Sequence, residues 1–393
     1  MTWSNLYNRT PMFWGSAVAY FLILLARSRE SIAYLPSDPG YGYIYAASQD
    51  GVSALIQGDP YFHLVARLLA WIDSWFPLTA QAVVLAVMVH LVWTLSAVII
   101  ANVLWTETES RVISVLAGLL LVIAPHASES SLGNVGNVKW PLLAASLVLC
   151  SSAEFLAPRP RLTAIFIAAT GLTNPLTVLC LVPLAMSWSS HARHRRVILG
   201  MGILVAVVLS ANVVKLGVGD AASGRNSKVT SPWAGMGLFW WSGLIGPIVV
   251  SGASLLIALI LRGRKPQLCG LISRLAITSV VLPIASYQLG GIADRYFVAP
   301  LTISLIAASL CCLLFSQVTS RLFPLAVFAL AVAVVIPSAK WFSSGWYMTS
   351  GTTWSDGVTS AKIACASNVQ QVVALPLSPD NSEEVDCEYI LRE

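Results

Sequence analysis

Residues 158–196 read PRPRLTAIFIAATGLTNPLTVLCLVPLAMSWSSHARHRR. Apolar side chains fill 162–188, but Gly171-Leu172-Thr173-Asn174-Pro175 interrupts them. Two readings compete: one kinked span, or two short helices that meet at a turn. The flanks decide. Arg159 and Arg161 precede the stretch, and Arg193, Arg195 and Arg196 follow it. Arginine-bearing loops stay on the cytoplasmic side. A single span would put the two groups on opposite sides of a membrane. Two half-length passages put both inside, together with Arg262, Arg264 and Lys265. The two-passage reading is therefore preferred, with its turn at the outer side. Such halves are short for the hydrocarbon core, so they must be packed within a bundle or thin the bilayer locally.

Composition agrees. The chain has 393 residues, of which 56% are hydrophobic and only 10% charged. A soluble protein needs roughly a quarter of its residues charged. Disorder and collagen are excluded, and a net charge of +5 is no nucleic-acid-binding patch. Further spans of roughly 20 apolar residues fall near 12–27, 80–104, 112–125, 140–157, 197–216, 237–261, 270–288, 296–316 and 322–338. With the broken stretch they predict an all-α polytopic membrane protein of about 11 passages, N-terminus in and C-terminus out. Arg111 and Arg321 then also fall inside. The first apolar stretch runs into Arg27, Arg29 and Glu30 without a small-residue cleavage site, and reads as a retained helix. The span interiors look almost free of charge, with His90 the main polar exception.

This placement divides the chain into a transmembrane part, 1–338, and an extracytoplasmic tail, 339–393. The larger outer segments are 28–79, 126–139 and the tail. Within the first, Asp59 to Phe76 reads DPYFHLVARLLAWIDSWF. Tyr61, Leu64, Val65, Leu68, Leu69, Ile72, Trp75 and Phe76 recur at helical spacing, with His63, Arg67 and Ser74 on the other face. The pattern predicts an amphipathic helix lying on the outer leaflet, Asp59 at its cap and Pro60 in its first turn. Trp71, Trp75 and Phe76 suit headgroup depth. A second short helix is expected near 43–57.

Asp38 lies among Pro36, Pro39, Gly40, Tyr41 and Gly42, directly after the first span. It reads either as a solvated turn carboxylate or as a base beside a lipid headgroup. Asp50 and Asp59 are alternates. His63 and Arg67, one helical turn apart, read as the wet side of an interfacial helix or as phosphate or sugar contacts. In the second outer loop, Glu129, Asn134, Asn137 and Lys139 either cap the bundle or hydrogen-bond a sugar or phosphate. Arg295, with Tyr296 beside it, opens a span from outside; it pairs with Asp294 or holds a phosphate. Lys215, Arg225 and Lys228 add positive charge outside. Asn174 is expected to border the same outward cavity. Cys365 and Cys387 in the tail suit a disulfide on an oxidising face. No Cys/His cluster has zinc spacing.

Together these features resemble the GT-C superfamily of integral-membrane glycosyltransferases: an acidic residue after span one, an interfacial helix in a large first outer loop, ten or eleven spans and an outer C-terminal part. Tyr61-Phe62-His63-Leu64-Val65-Ala66-Arg67, the run from Leu132-Gly133-Asn134 to Trp140, Gly171-Leu172-Thr173-Asn174-Pro175 and Arg295-Tyr296-Phe297 are similar to strings in actinobacterial membrane proteins of that type. So is the tail, with Trp354, Cys365, Pro376, Pro379 and Cys387. The resemblance implies inverting transfer of a hexosyl or pentosyl group from a polyprenyl-phosphate donor to a cell-envelope glycan or glycolipid, at the extracytoplasmic face of the plasma membrane. Carried over, Asp38 is the base and Arg295 the leading phosphate ligand. Arg67, His63 and Lys139 are further ligands, and Tyr41, Glu129, Asn134, Asn137, Asn174 and Tyr296 contact substrate. Many members pair two acidic residues in this loop, whereas Pro39 and Gly40 follow Asp38 here. That argues against a divalent metal, and no cofactor is expected. The rival class is a transporter or lipid-linked-glycan flippase, which should carry repeats and ionisable residues deep in its spans.

Overall fold

The computed structural model describes residues 10–35, 40–56, 62–123, 132–223, 246–290, 297–318, 351–367, 372–377 and 381–391. The chain is mostly helical. In order, the α-helices of five or more residues are α1 (Thr10–Ser28), α2 (Gly40–Asp50), α3 (Leu64–Asp73), α4 (Gln81–Thr108), α5 (Arg111–Val122), α6 (Lys139–Cys150), α7 (Pro160–Thr173), α8 (Leu181–Ser190), α9 (Arg195–Ser223), α10 (Gly246–Ile260), α11 (Pro266–Gly290), α12 (Val298–Val318), α13 (Trp354–Ser367) and α14 (Cys387–Leu391). Four helices among the described residues are long and apolar enough to cross a membrane: Leu78–Thr108, Ala192–Lys215, Pro266–Ala285 and Val298–Ser316. Shorter apolar helices flank them. The expected span at 322–338 lies outside the described residues.

The apolar stretch 162–188 does break. α7 ends at Thr173, Asn174 is extended (φ −144°, ψ 112°), a 3-10 turn runs Pro175–Cys180, and α8 follows. The residue before a proline is pushed out of the helical region, and the Asn174 side chain accepts from the Leu176 N–H at 3.0 Å to start the next turn. Pro175 has no N–H to give to the Gly171 carbonyl, its helical partner four residues back. In hydrocarbon such an orphan costs several kcal/mol. The Asn212 side-chain amide of α9 fills the gap, donating to the Gly171 oxygen at 2.9 Å. Gly171 also sets the closeness of the two helices, since a Cβ there would lie 2.5 Å from Val208 Cγ1.

A second tight contact joins α1, α4 and α5. The Tyr20 hydroxyl donates to the Val115 carbonyl at 2.7 Å. A Cβ on Gly118 would lie 2.5 Å from that hydroxyl and 2.8 Å from the Ala97 carbonyl oxygen. Small residues let membrane helices approach this closely.

The expectation of an all-α chain needs one correction. Val372–Leu377 (β1) and Asn381–Asp386 (β2) form an antiparallel hairpin, with Val373 opposite Val385. Val373, Leu375 and Leu377 are buried, while Val372 and Ala374 are exposed, the period of two that a half-buried strand requires. Cys365 and Cys387 are joined by a disulfide, which ties α13 to α14 across this hairpin. The tail packs on the first loop. Trp354 is buried; its backbone N–H donates to the Ala33 carbonyl at 2.9 Å and its indole to the Leu78 carbonyl at 2.6 Å. Tyr389 meets the Tyr45 ring edge-on at 5.3 Å.

Replacing Asn212 with leucine strands the Gly171 carbonyl. The expected loss is about 1–3 kcal/mol, measured as a lower melting temperature of the detergent-solubilised protein; an unchanged melting curve contradicts the role assigned to this bond.

Candidate functional site at one end of the bundle

Two ends of the bundle can be told apart from the loops that meet there. At one end, a cavity is lined jointly by Thr106, Pro158, His191, Arg193 and Gln267, so four connections converge. At the other end, Lys215 reaches back to donate to the Ile56 carbonyl at 2.6 Å, beneath the first loop. Arg195 and Lys215 belong to one helix and stand roughly 30 Å apart at 1.5 Å per residue, about the hydrocarbon thickness.

The Lys215 end is built from α2, α3, the 132–140 segment and the break at Asn174. The Val65 N–H at the start of α3 donates to the Thr173 hydroxyl at 3.1 Å. The Asn174 amide donates to the Lys139 carbonyl at 3.4 Å. A 3-10 turn, Val135–Asn137, precedes α6; Asn134 caps it by accepting from the Gly136 N–H at 2.9 Å. Asn137 accepts from the Trp140 indole at 3.3 Å. All three asparagines are buried. Their hydrogen bonds hold the loops in place. The Lys139 ammonium lies 5.6 Å from the centroid of the Trp140 ring and that of Lys215 lies 4.6 Å from Phe62, both within cation–π range.

The interfacial helix differs from expectation in extent and orientation. It starts at Leu64, capped by His63 in the left-handed region (φ 49°), not at Asp59. The left-handed His63 backbone stops the helix from extending further back. His63 and Arg67, placed by the spacing on the wet face, are instead buried, 7% and 5% exposed. The Arg67 guanidinium donates to the Ala54 carbonyl at 2.7 Å and sits 4.7 Å over the Tyr43 ring; the His63 ring lies tilted against Tyr43 at 5.8 Å. Arg67 therefore clamps α2 and its following turn onto α3. On the helix itself Leu68 is exposed, and Trp75 and Phe76, just after its end, are exposed too.

One buried group on this helix escaped the sequence reading. Asp73, the last residue of α3, has no exposed surface, and neither carboxylate oxygen has a hydrogen-bond partner among the described residues. Burial pushes its pKa up to about 8. The C-terminal end of the helix dipole disfavours its charged form further. The available signal was the stripe Ala66, Ala70, Asp73, spaced as one helix face with the small residues that mark packed membrane helices.

Of the other candidates, Asp50 is exposed at the end of α2 and Tyr41 falls in the first turn of that helix. Asp38, Asp59, Glu129, Arg295 and Tyr296 lie outside the described residues. A further correction concerns the spans: Arg274, inside α11, is buried and donates to the Ser151 carbonyl at 2.7 Å. Compared with known proteins, the chain matches no family model and has no significant match among curated proteins.

Folding keeps a proton on Asp73 that unfolding releases. Rising pH between about 4, the ordinary carboxyl value, and about 8 therefore favours the unfolded form. Thermal melts from pH 5 to 9 are expected to show stability falling with pH in the native protein and a flatter profile in Asp73→Asn. Equal slopes in both would contradict the buried, protonated state.

Proposed function

We propose that this chain is an integral-membrane glycosyltransferase. It moves a sugar from a polyprenyl-phosphate donor to a cell-envelope glycan or glycolipid at the extracytoplasmic face. Its topology is about 11 passages, N-terminus in and C-terminus out. The observation that carries this reading is the convergence of the first loop, the 132–140 segment and the broken passage at the Lys215 end, through the Val65–Thr173, Asn174–Lys139 and Lys215–Ile56 contacts. The arginine-bearing connections gather at the opposite end. By the positive-inside rule that end is cytoplasmic and the Lys215 end faces out.

The chemistry asked of such a site is modest. A lipid-linked sugar phosphate carries its own leaving group, so the protein need only align the acceptor hydroxyl, take its proton and offset charge on the departing phosphate. Asp38, which follows the first span, is the proposed base, and Asp50 and Asp59 are its alternates. Asp73 is a poor base in its resting state, because it holds its proton at neutral pH. Arg295 is the proposed donor-phosphate ligand, and Lys139 and Lys215 are further candidate cations. Arg67 and His63 act by fixing α2 against α3. No metal takes part in this reading.

A second reading, a transporter or flippase, draws on the buried His90 and Arg274 within the helices, since intramembrane ionisable residues mark transport pathways. The discriminating experiment reconstitutes the protein with a labelled polyprenyl-phosphate sugar and a glycan acceptor. The native chain is expected to transfer sugar. Asp38→Asn is expected to lose about 10²-fold or more with unchanged yield and elution. Full transfer by that variant would sink the base assignment; no transfer by the native chain, with flux of labelled lipid across the bilayer, would favour the transporter.

A further inference from the structure

The opposite end of the bundle holds a cavity that the transferase reading does not use. It has a volume of about 630 Å³ and lies between the end of α8, the 191–194 turn, α10 and α11. That is within the range of small-molecule sites. An adjoining cavity of about 730 Å³ shares Glu154, His191, Arg193, His194 and Gln267 with it. The first cavity has two unlike walls.

The polar wall is cationic. Arg193, Arg262 and Arg274 line it, against one carboxylate, Glu154. That carboxylate is engaged: Glu154 pairs with His194 at 3.3 Å. Arg274 is only 4% exposed. Its Nε donates to the Ser151 carbonyl, and among the described residues its two Nη groups have no hydrogen-bond partner. One of them passes close to Gly270, which also lines the cavity. Glu107, in the adjoining cavity, accepts from the Ser152 hydroxyl and offsets part of the Arg274 charge. Arg193 and Arg262 stand exposed at the rim.

The other wall is apolar, formed by Leu255, Leu259 and Ile277. It continues onto an outer surface where Leu256, Leu259 and Ile260 are exposed. In a bilayer that surface faces acyl chains.

We propose that this cavity binds a phosphate-bearing ligand, specifically the headgroup of an anionic phospholipid. Guanidinium forks match phosphate oxygens bidentately, and a desolvated arginine with open donors is costly unless an anion meets it. Basic pockets between transmembrane helices hold anionic headgroups in this way. The apolar wall gives the acyl chains a path that a soluble phosphate would not need, which is why the lipid source is chosen. The proposal is independent of the transferase reading.

The test uses the purified full chain, delipidated in detergent, and titrates it with phosphatidylglycerol or phosphatidylcholine under native mass spectrometry. Phosphatidylglycerol is expected to be retained preferentially. The double variant Arg193→Gln/Arg262→Gln changes only exposed side chains and is expected to bind it roughly tenfold or more weakly, with unchanged melting. The comparison variant Arg159→Gln/Arg161→Gln removes the same charge outside the first cavity and is expected to bind as the native chain does. Equal weakening in both double variants, or none in either, overturns the site. Glycerol phosphate is the second arm: failure to displace the lipid supports the lipid source, and displacement at equal concentration overturns it in favour of a soluble phosphate.

Discussion

Pro175 cannot donate a hydrogen bond, and much of the observed architecture follows from how that deficit is met. The helix that begins at Pro160 stops before it, and Asn174 is extended and starts a new turn. The Gly171 carbonyl is left without its helical donor, and Asn212 supplies one from α9. These two contacts fix where α7, α8 and α9 lie with respect to each other. They also present Thr173 and Asn174 at one end, where they receive α3 through Val65 and hold the start of α6 at Lys139. Had the helix continued, Arg159 and Arg193 would sit at opposite ends. Because it breaks, both flanks return to the same end and share a cavity wall with α11.

The break was legible because Asn174 and Pro175 act together locally: the proline lacks an N–H and the asparagine starts a new turn, whereas Pro283 alone leaves α11 continuous. The paired cysteines of the tail were legible for a similar reason, since few others lie outside apolar segments. The orientation of α3 was not. The spacing of large apolar residues in 61–76 is helical, but spacing alone does not say which face meets the protein. In water the large apolar side chains would turn inward. Here Leu68 is exposed while Ala66, Leu69 and Ala70 face the bundle, with Arg67, Asp73 and the preceding His63 buried beside them. Beside lipid, the buried face is chosen by closeness of packing more than by apolarity. The β-hairpin was missed because its strands are short and sit beside a helix in a polar tail. Arg274 was missed because one charge barely alters a twenty-residue apolar window.

Scarce charge makes the two ends chemically different. One end gathers arginines that line a space, with Arg274 sunk among helices and Arg193 and Arg262 at its rim. At the other, Arg67 is bound to Ala54 and Tyr43, Lys215 to Ile56, and Lys139 lies against Trp140. Their first effect is to stiffen the loop region. Rigid loops suit a site that must hold two substrates in a fixed relation. An open arginine-lined space suits an adaptable ligand that is held, not transformed.

Trp354 bonds both to Ala33, just after the first helix, and to Leu78, just before α4. The two ends of the first loop are thus tied to a residue made 276 positions after Leu78. During synthesis the loop emerges early and must wait, with its closing partner unmade, while the intervening helices are inserted. Contacts of such long separation form late because chain closure must come first. The first loop can therefore reach its final arrangement only once α13 has been made and has docked on Ala33 and Leu78.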